Sequence, residues 1–253
     1  MPLTGMESTL IVSLMGSIEL HDWVGRRYAD GADDDAFILI VRQSVMQGMA
    51  AFHRSKESSR IRWRHHDAGD AWTGSSEAPE LLWLQVDTAD TGEGRVPLQP
   101  IGTLLERVLG RVGTPSIVQG DFLLPLGEFT GEPIEFAYDR DWFAFSDPAW
   151  SEVIGIELYA SSTDSARADA VLGAAQTWLG DAAVLERGDR PDPGPVEFRG
   201  SQYVPLDFLA HADCTVHEWS IELLAWLTEV LGWAMRDAGC GDHGFVRLRR
   251  APA

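Results

Sequence analysis

Lysine is almost missing from this chain: one lysine accompanies nineteen arginines, and the 20 basic residues face 39 acidic ones. The resulting formal charge of −19 and isoelectric point near 4.6 exclude general binding to nucleic acid or to an anionic membrane, because either surface repels so acidic a protein. Cysteine is nearly as scarce, and two cysteines cannot build the disulfide framework of a small secreted domain. Long apolar runs are lacking too. The opening "MPLTGMESTLIVSLMG" has no basic region ahead of its apolar stretch, which is too short and too soon interrupted for a signal peptide or a membrane span. A cytoplasmic protein without membrane contact is expected.

Catalytic signatures are also missing. No Gly-x-Ser-x-Gly elbow, Gly-x-Gly-x-x-Gly turn or P-loop occurs, so neither a catalytic residue nor a cofactor is assigned. What remains is a chain of 253 residues, 45% apolar, long enough for one large domain or two small ones. Arginine in place of lysine, with abundant Ala, Gly and Asp, points to a GC-rich bacterial genome.

Charge is divided unevenly. Residues 1–126 carry 11 basic and 17 acidic groups (−6), whereas residues 127–253 carry 9 and 22 (−13). Much of the difference lies in "HRSKESSRIRWRHHD" (53–67), where four arginines, the one lysine and three histidines fall within fourteen residues.

Periodicity sets the expected elements. "STLIVSLMGSIEL" (8–20) reads as a buried strand, and the acidic start and helical spacing of Phe37, Val41, Val45 and Met49 read as a helix. "RIRWRHH" alternates as a strand, "LLWLQVDT" (81–88) is a second one, and Pro100 to Gly113 bound a helix. "SIVQGDFLLPL" is a further strand. Residues 20–34 and 67–79 are expected to be exposed loop, and residues 127–150, rich in Gly, Pro and aromatics, a connector holding a hairpin.

The second half repeats the pattern. "VIGIELYAS" is a strand, "TDSARADAVLGAAQTWLG" a helix closed by Gly180, "AAVLE" and "VEFRGSQYVPL" strands, and a long helix leads to the strand "GFVRLRR". Each half then reads βαββαβ, the element order of the ferredoxin-like fold. The expected class is α+β: two ferredoxin-like units in tandem, residues 1–126 and 151–253 joined by the connector 127–150, packed as one pseudo-duplicated domain. A single mixed α/β sandwich is the alternative.

"CTVHEWSIELLAWLTEVLGWAMRDAGCGDH" supplies the ligand types of a Cys2His2 zinc site in Cys214, His217, Cys240 and His243. The spacing argues against it. Thr215 and Glu218 fit a capping box, Gly239 fits a stop, and Trp219, Leu223, Trp226, Val230 and Trp233 make an apolar stripe between them. A helix of about 22 residues separates the pairs by about 33 Å, beyond the reach of one metal or of a disulfide. Two structural cysteines flanking a core helix are expected, and no metal.

Asp139 and Asp141 would share a face if the hairpin forms, which suits a cation or an acid–base pair; a solvated turn is the plainer reading. His65 and His66, adjacent on a strand, point to opposite faces. "RGD" (187–189) is treated as chance.

On the expected strand, Arg60, Arg62, Arg64 and His66 project from one face, roughly 6 to 7 Å between neighbours, with Ile61 and Trp63 in the core. This stripe is either neutralised by the protein's own acids across strands or docks an acidic segment or phosphorylated ligand. The leading expectation is a non-enzymatic binding or regulatory protein, such as an inhibitor or immunity-type partner that covers a basic protein by charge complementarity. The alternative is a small-molecule enzyme or ligand-binding protein with a Trp-lined cleft between the units, near Trp63, Trp83 or Trp142. Homo-oligomerisation by sheet-edge pairing is a weaker third.

Overall fold

The computed structural model describes residues 8–29, 35–48, 64–70, 72, 80–88, 96–130, 136–147, 149–189, 196 and 205–250. Eight strands and six α-helices alternate along it: β1 (Thr9–Leu20), α1 (Asp22–Ala29), α2 (Ala36–Met46), β2 (Arg64–Asp70), β3 (Glu80–Asp87), α3 (Leu98–Val112) and β4 (Gly113–Pro125). After a single 3-10 turn come α4 (Phe136–Ala144), β5 (Glu152–Ala160), α5 (Ser165–Leu179), β6 (Ala183–Arg187), β7 (Asp207–Val216), α6 (Ile221–Asp237) and β8 (His243–Arg250).

Helix starts follow local chemistry. Asp35, Asp164 and Ser220 each accept a hydrogen bond from the backbone N–H three residues on, at 2.9, 2.7 and 3.0 Å, and so satisfy an amide that the helix cannot. Asp70 adds a second cap to α2 by accepting from the Ala36 N–H at 3.0 Å.

All eight strands form one antiparallel sheet in the order β2-β3-β1-β4-β8-β5-β7-β6. This is a mixed α+β fold. Strand order within the first half, 2-3-1-4, is matched in the second by 6-7-5-8, and the halves meet where β4 pairs with β8. Helices α2, α3, α6 and α5 lie side by side in that order across the sheet. Alternation along the strands turns Leu10, Val12, Leu14, Phe122, Leu124, Val246 and Leu248 towards them, and one core runs through both halves. A smaller cluster of Ile11, Leu123, Tyr159, Leu206 and Phe245 lies on the other side of the sheet.

Helix α6 is the centre of the molecule. Trp226 and Trp233 are buried, stacked against Phe143 of α4 at 4.7 Å and edge-on to Phe129 at 5.4 Å. The helix continues unbroken through Gly232.

Several expectations are corrected. The two expected units join edge to edge in one sheet, through β4 and β8. Residues 22–29 are helix α1 rather than loop, and the strand expected to end at His66 runs on to Asp70. The connector holds helix α4 in place of a hairpin. Most of the strand placed at 196–206 lies outside the described residues; β7, Asp207–Val216, follows it, takes in Cys214 and moves the cap of α6 from Thr215 to Ser220.

Candidate functional site

Among the described residues strand β2 is an outermost strand of the sheet, and the basic run leads into it in sequence. Arg60 and Arg62 lie outside the described residues. Arg64 opens the strand opposite Asp87. His66 is exposed, with Nε2 3.9 Å from Asp87 Oδ2. The register shifts between His65 and Asp67, so the strict alternation expected for Arg64 and His66 is interrupted by a bulge. His65 turns the other way, towards α2, and its Nε2 meets Ser44 Oγ at 2.9 Å. Because the Ser44 hydroxyl donates to the Ile40 carbonyl at 2.7 Å, its oxygen is the acceptor and the imidazole the donor.

A cavity of about 350 Å³ opens between α1, α2 and α3 in the same half. Arg27 of α1, Arg42 of α2 and Arg107 and Arg111 of α3 line it, and among the described residues no carboxylate does. Amphipathic spacing puts them there. Arg107 and Arg111 are one turn apart on α3, beside Val108 and Val112, which turn their apolar side to the core. Trp23, 40% exposed, stands at the same wall and stacks on His21 with ring centroids 6.4 Å apart. Sequence reasoning missed this site because its four arginines lie on three separated helices; the signal present in the sequence was the i, i+4 arginine pair of α3.

The seam between the halves holds a second cluster that was not foreseen. Arg247 on β8 donates two hydrogen bonds to Asp121 on β4, at 2.9 and 2.8 Å, and a longer one of 3.4 Å to Glu157 on β5. Arg249 donates to Glu157 at 2.6 Å, and Gln119 to Asp121 at 2.9 Å. Asp121 and Glu157 are only 4% and 6% exposed. Burial is the largest single influence on Arg247 and works against its charge, but the Asp121 hydrogen bond and the charges of Asp121 and Glu157 together outweigh it and raise the guanidinium pKa. Every carboxylate here has a guanidinium partner, which marks a structural network rather than an acid–base pair. A lone acidic residue in each of two apolar strands ("QGDFLL", "GIELYA") and the arginines of "FVRLRR" were its trace in the sequence.

Cys214 and Cys240 are both free and buried. They lie at opposite ends of the sheet: Cys214 is in register with Ile154, whereas the Cys240 carbonyl accepts from the N–H of Ser162, beyond the far end of β5. Burial pushes their thiols up to about 12 and about 11, which suppresses thiolate chemistry. Asp139 and Asp141 fall on α4, where positions two apart lie about 200° around the axis, so the shared face expected of a strand does not exist. Asp141 has Arg140 Nε at 3.8 Å. Among the described residues no three His, Cys, Asp or Glu are placed to hold a metal ion. No helix among them is long and apolar enough to cross a membrane.

No family model matches the chain, and no curated protein matches it in sequence. Among solved structures, one described as a Cas6 (TTHB231) product complex aligns over 92% of this chain and 94% of its own at 14% identity. The TM-score of that alignment is 0.21, and no functional argument rests on it.

Proposed function

We propose that this chain is a non-enzymatic cytoplasmic binding protein, two ferredoxin-like units in tandem, that docks another protein through the basic edge of its first unit. The βαββαβ order of the second half, shared by the first apart from its added helix α1, and the matched strand orders support the duplicated architecture. One observation carries the functional reading: the strand on which the basic run ends, β2, has a neighbour only on its β3 side among the described residues. An open edge offers main-chain donors and acceptors to an added strand. Arg60, Arg62 and Arg64, in the basic sequence that leads into β2, are the bidentate partners proposed for carboxylates of that strand.

The partner is a protein with a mainly basic surface, drawn in by the −19 body and set in register by an acidic segment at β2. An inhibitor or immunity-type role fits this division of labour. The test is capture from a native bacterial lysate by wild type and by Arg60→Glu/Arg62→Glu/Arg64→Glu, followed by titration of the purified retained protein. The expected result is one protein that binds wild type and binds the variant at least tenfold more weakly. If neither form retains a protein, or the variant retains it equally, the reading fails.

A further inference from the structure

The arginine-lined cavity between α1, α2 and α3 stands apart from the β2 edge and calls for an occupant of its own. Every described arginine after residue 126 lies within ion-pair distance of a carboxylate, as the surplus of acid makes easy. Arg107 and Arg111 do not: among the described residues neither has an acidic partner. They are one helical turn apart, close enough to repel each other, and they face a cavity that Arg27 and Arg42 also line. In a chain with 39 acidic residues, Arg107 and Arg111, facing a cavity that Arg27 and Arg42 also line and that no carboxylate lines among the described residues, make an anion site by electrostatics.

We infer that this cavity binds a nucleoside di- or triphosphate. Arg107 and Arg111, spaced by one turn, bracket two linked phosphates, and Arg27 and Arg42 close on them from the neighbouring helices. Trp23, at the exposed wall, offers its ring to a base, and the Gln43 amide offers both a donor and an acceptor for the base edge. A volume of about 350 Å³ is that of a small-ligand site, and a bounded cavity among three helices suits a compact molecule better than a peptide strand. Guanidiniums here take the part that backbone amides take in a glycine-rich loop, so the site needs none of the nucleotide motifs that the sequence lacks.

The test uses the full chain and isothermal titration with ADP, ATP, adenosine and inorganic pyrophosphate at moderate salt. ADP or ATP is expected to bind, pyrophosphate at least tenfold more weakly and adenosine more weakly still. Arg107→Gln/Arg111→Gln is expected to weaken ADP binding at least tenfold, and Trp23→Ala to weaken ADP while leaving pyrophosphate unchanged. Arg26→Glu, an exposed charge on α1 outside the cavity, is expected to leave binding within twofold. Equal thermal melting of the variants shows that loss of binding is not loss of fold. The inference is overturned if neither ADP nor ATP binds at millimolar concentration, if pyrophosphate binds as tightly as ADP, or if Arg26→Glu weakens binding as much as the cavity variant.

Discussion

His65 shows how one residue's place sets a property of the whole chain. It leaves the exposed side of β2 and enters the gap below α2, where burial lowers its pKa from 6.5 to about 4. The unfolded chain therefore takes up a proton on this residue as pH falls through about 6.5, whereas the folded chain refuses it until about 4. Stability from this group is complete above that window and is lost as pH drops through it, by about 3 kcal/mol near pH 4. The variant His65→Gln keeps an amide donor for Ser44 and does not titrate. Its urea midpoint is expected to fall less than that of wild type between pH 7 and pH 4.5; equal falls would show that His65 contributes nothing to the acid response.

At the scale of elements, α3 and α6 approach closely because Gly102 has no side chain. A Cβ there would sit 2.8 Å from Ala225 Cβ and 3.3 Å from the Ile221 carbonyl, neither of which swings aside. Gly102→Ala is expected to lower stability by about 1–3 kcal/mol, whereas Gly110→Ala on the same helix, with nothing within 4 Å, is expected to raise it by up to about 1 kcal/mol. Paired chemical denaturation of the two variants checks the opposite signs. Most elements were legible in the sequence where a long segment held one period throughout, as in β1, α3, α5 and β5. The helix α1, "DWVGRRYA", was not, because its apolar side is little more than Val24 and its glycine and paired arginines resemble a loop. Of the sites, the basic run was visible because it is continuous in sequence. The arginine cavity and the seam network were not, since each is assembled from strands or helices that only the topology brings together.

The whole molecule turns on how the halves are joined. Their β4·β8 pairing is continuous with each half's own sheet, and the core beneath it draws on α3 and α6 from opposite halves. Differential scanning calorimetry is therefore expected to show one unfolding transition for residues 1–253, and two separated transitions would mean that the halves fold independently. Arg247→Met leaves Asp121 and Glu157 buried with one guanidinium fewer, and is expected to cost about 3–5 kcal/mol while preserving that single transition.

The position of β8 also governs the order of events on the ribosome. It follows the other seven strands of this sheet in chain order, yet it stands in the middle of the sheet between β4 and β5. Until it emerges, the nascent chain holds two unsatisfied strand edges that face one another across a gap, with Asp121 and Glu157 awaiting their cations. Synthesis arrested before His243 thus leaves a product that invites pairing from any neighbouring strand, and completion of eight residues converts two sticky surfaces into the interior of one sheet.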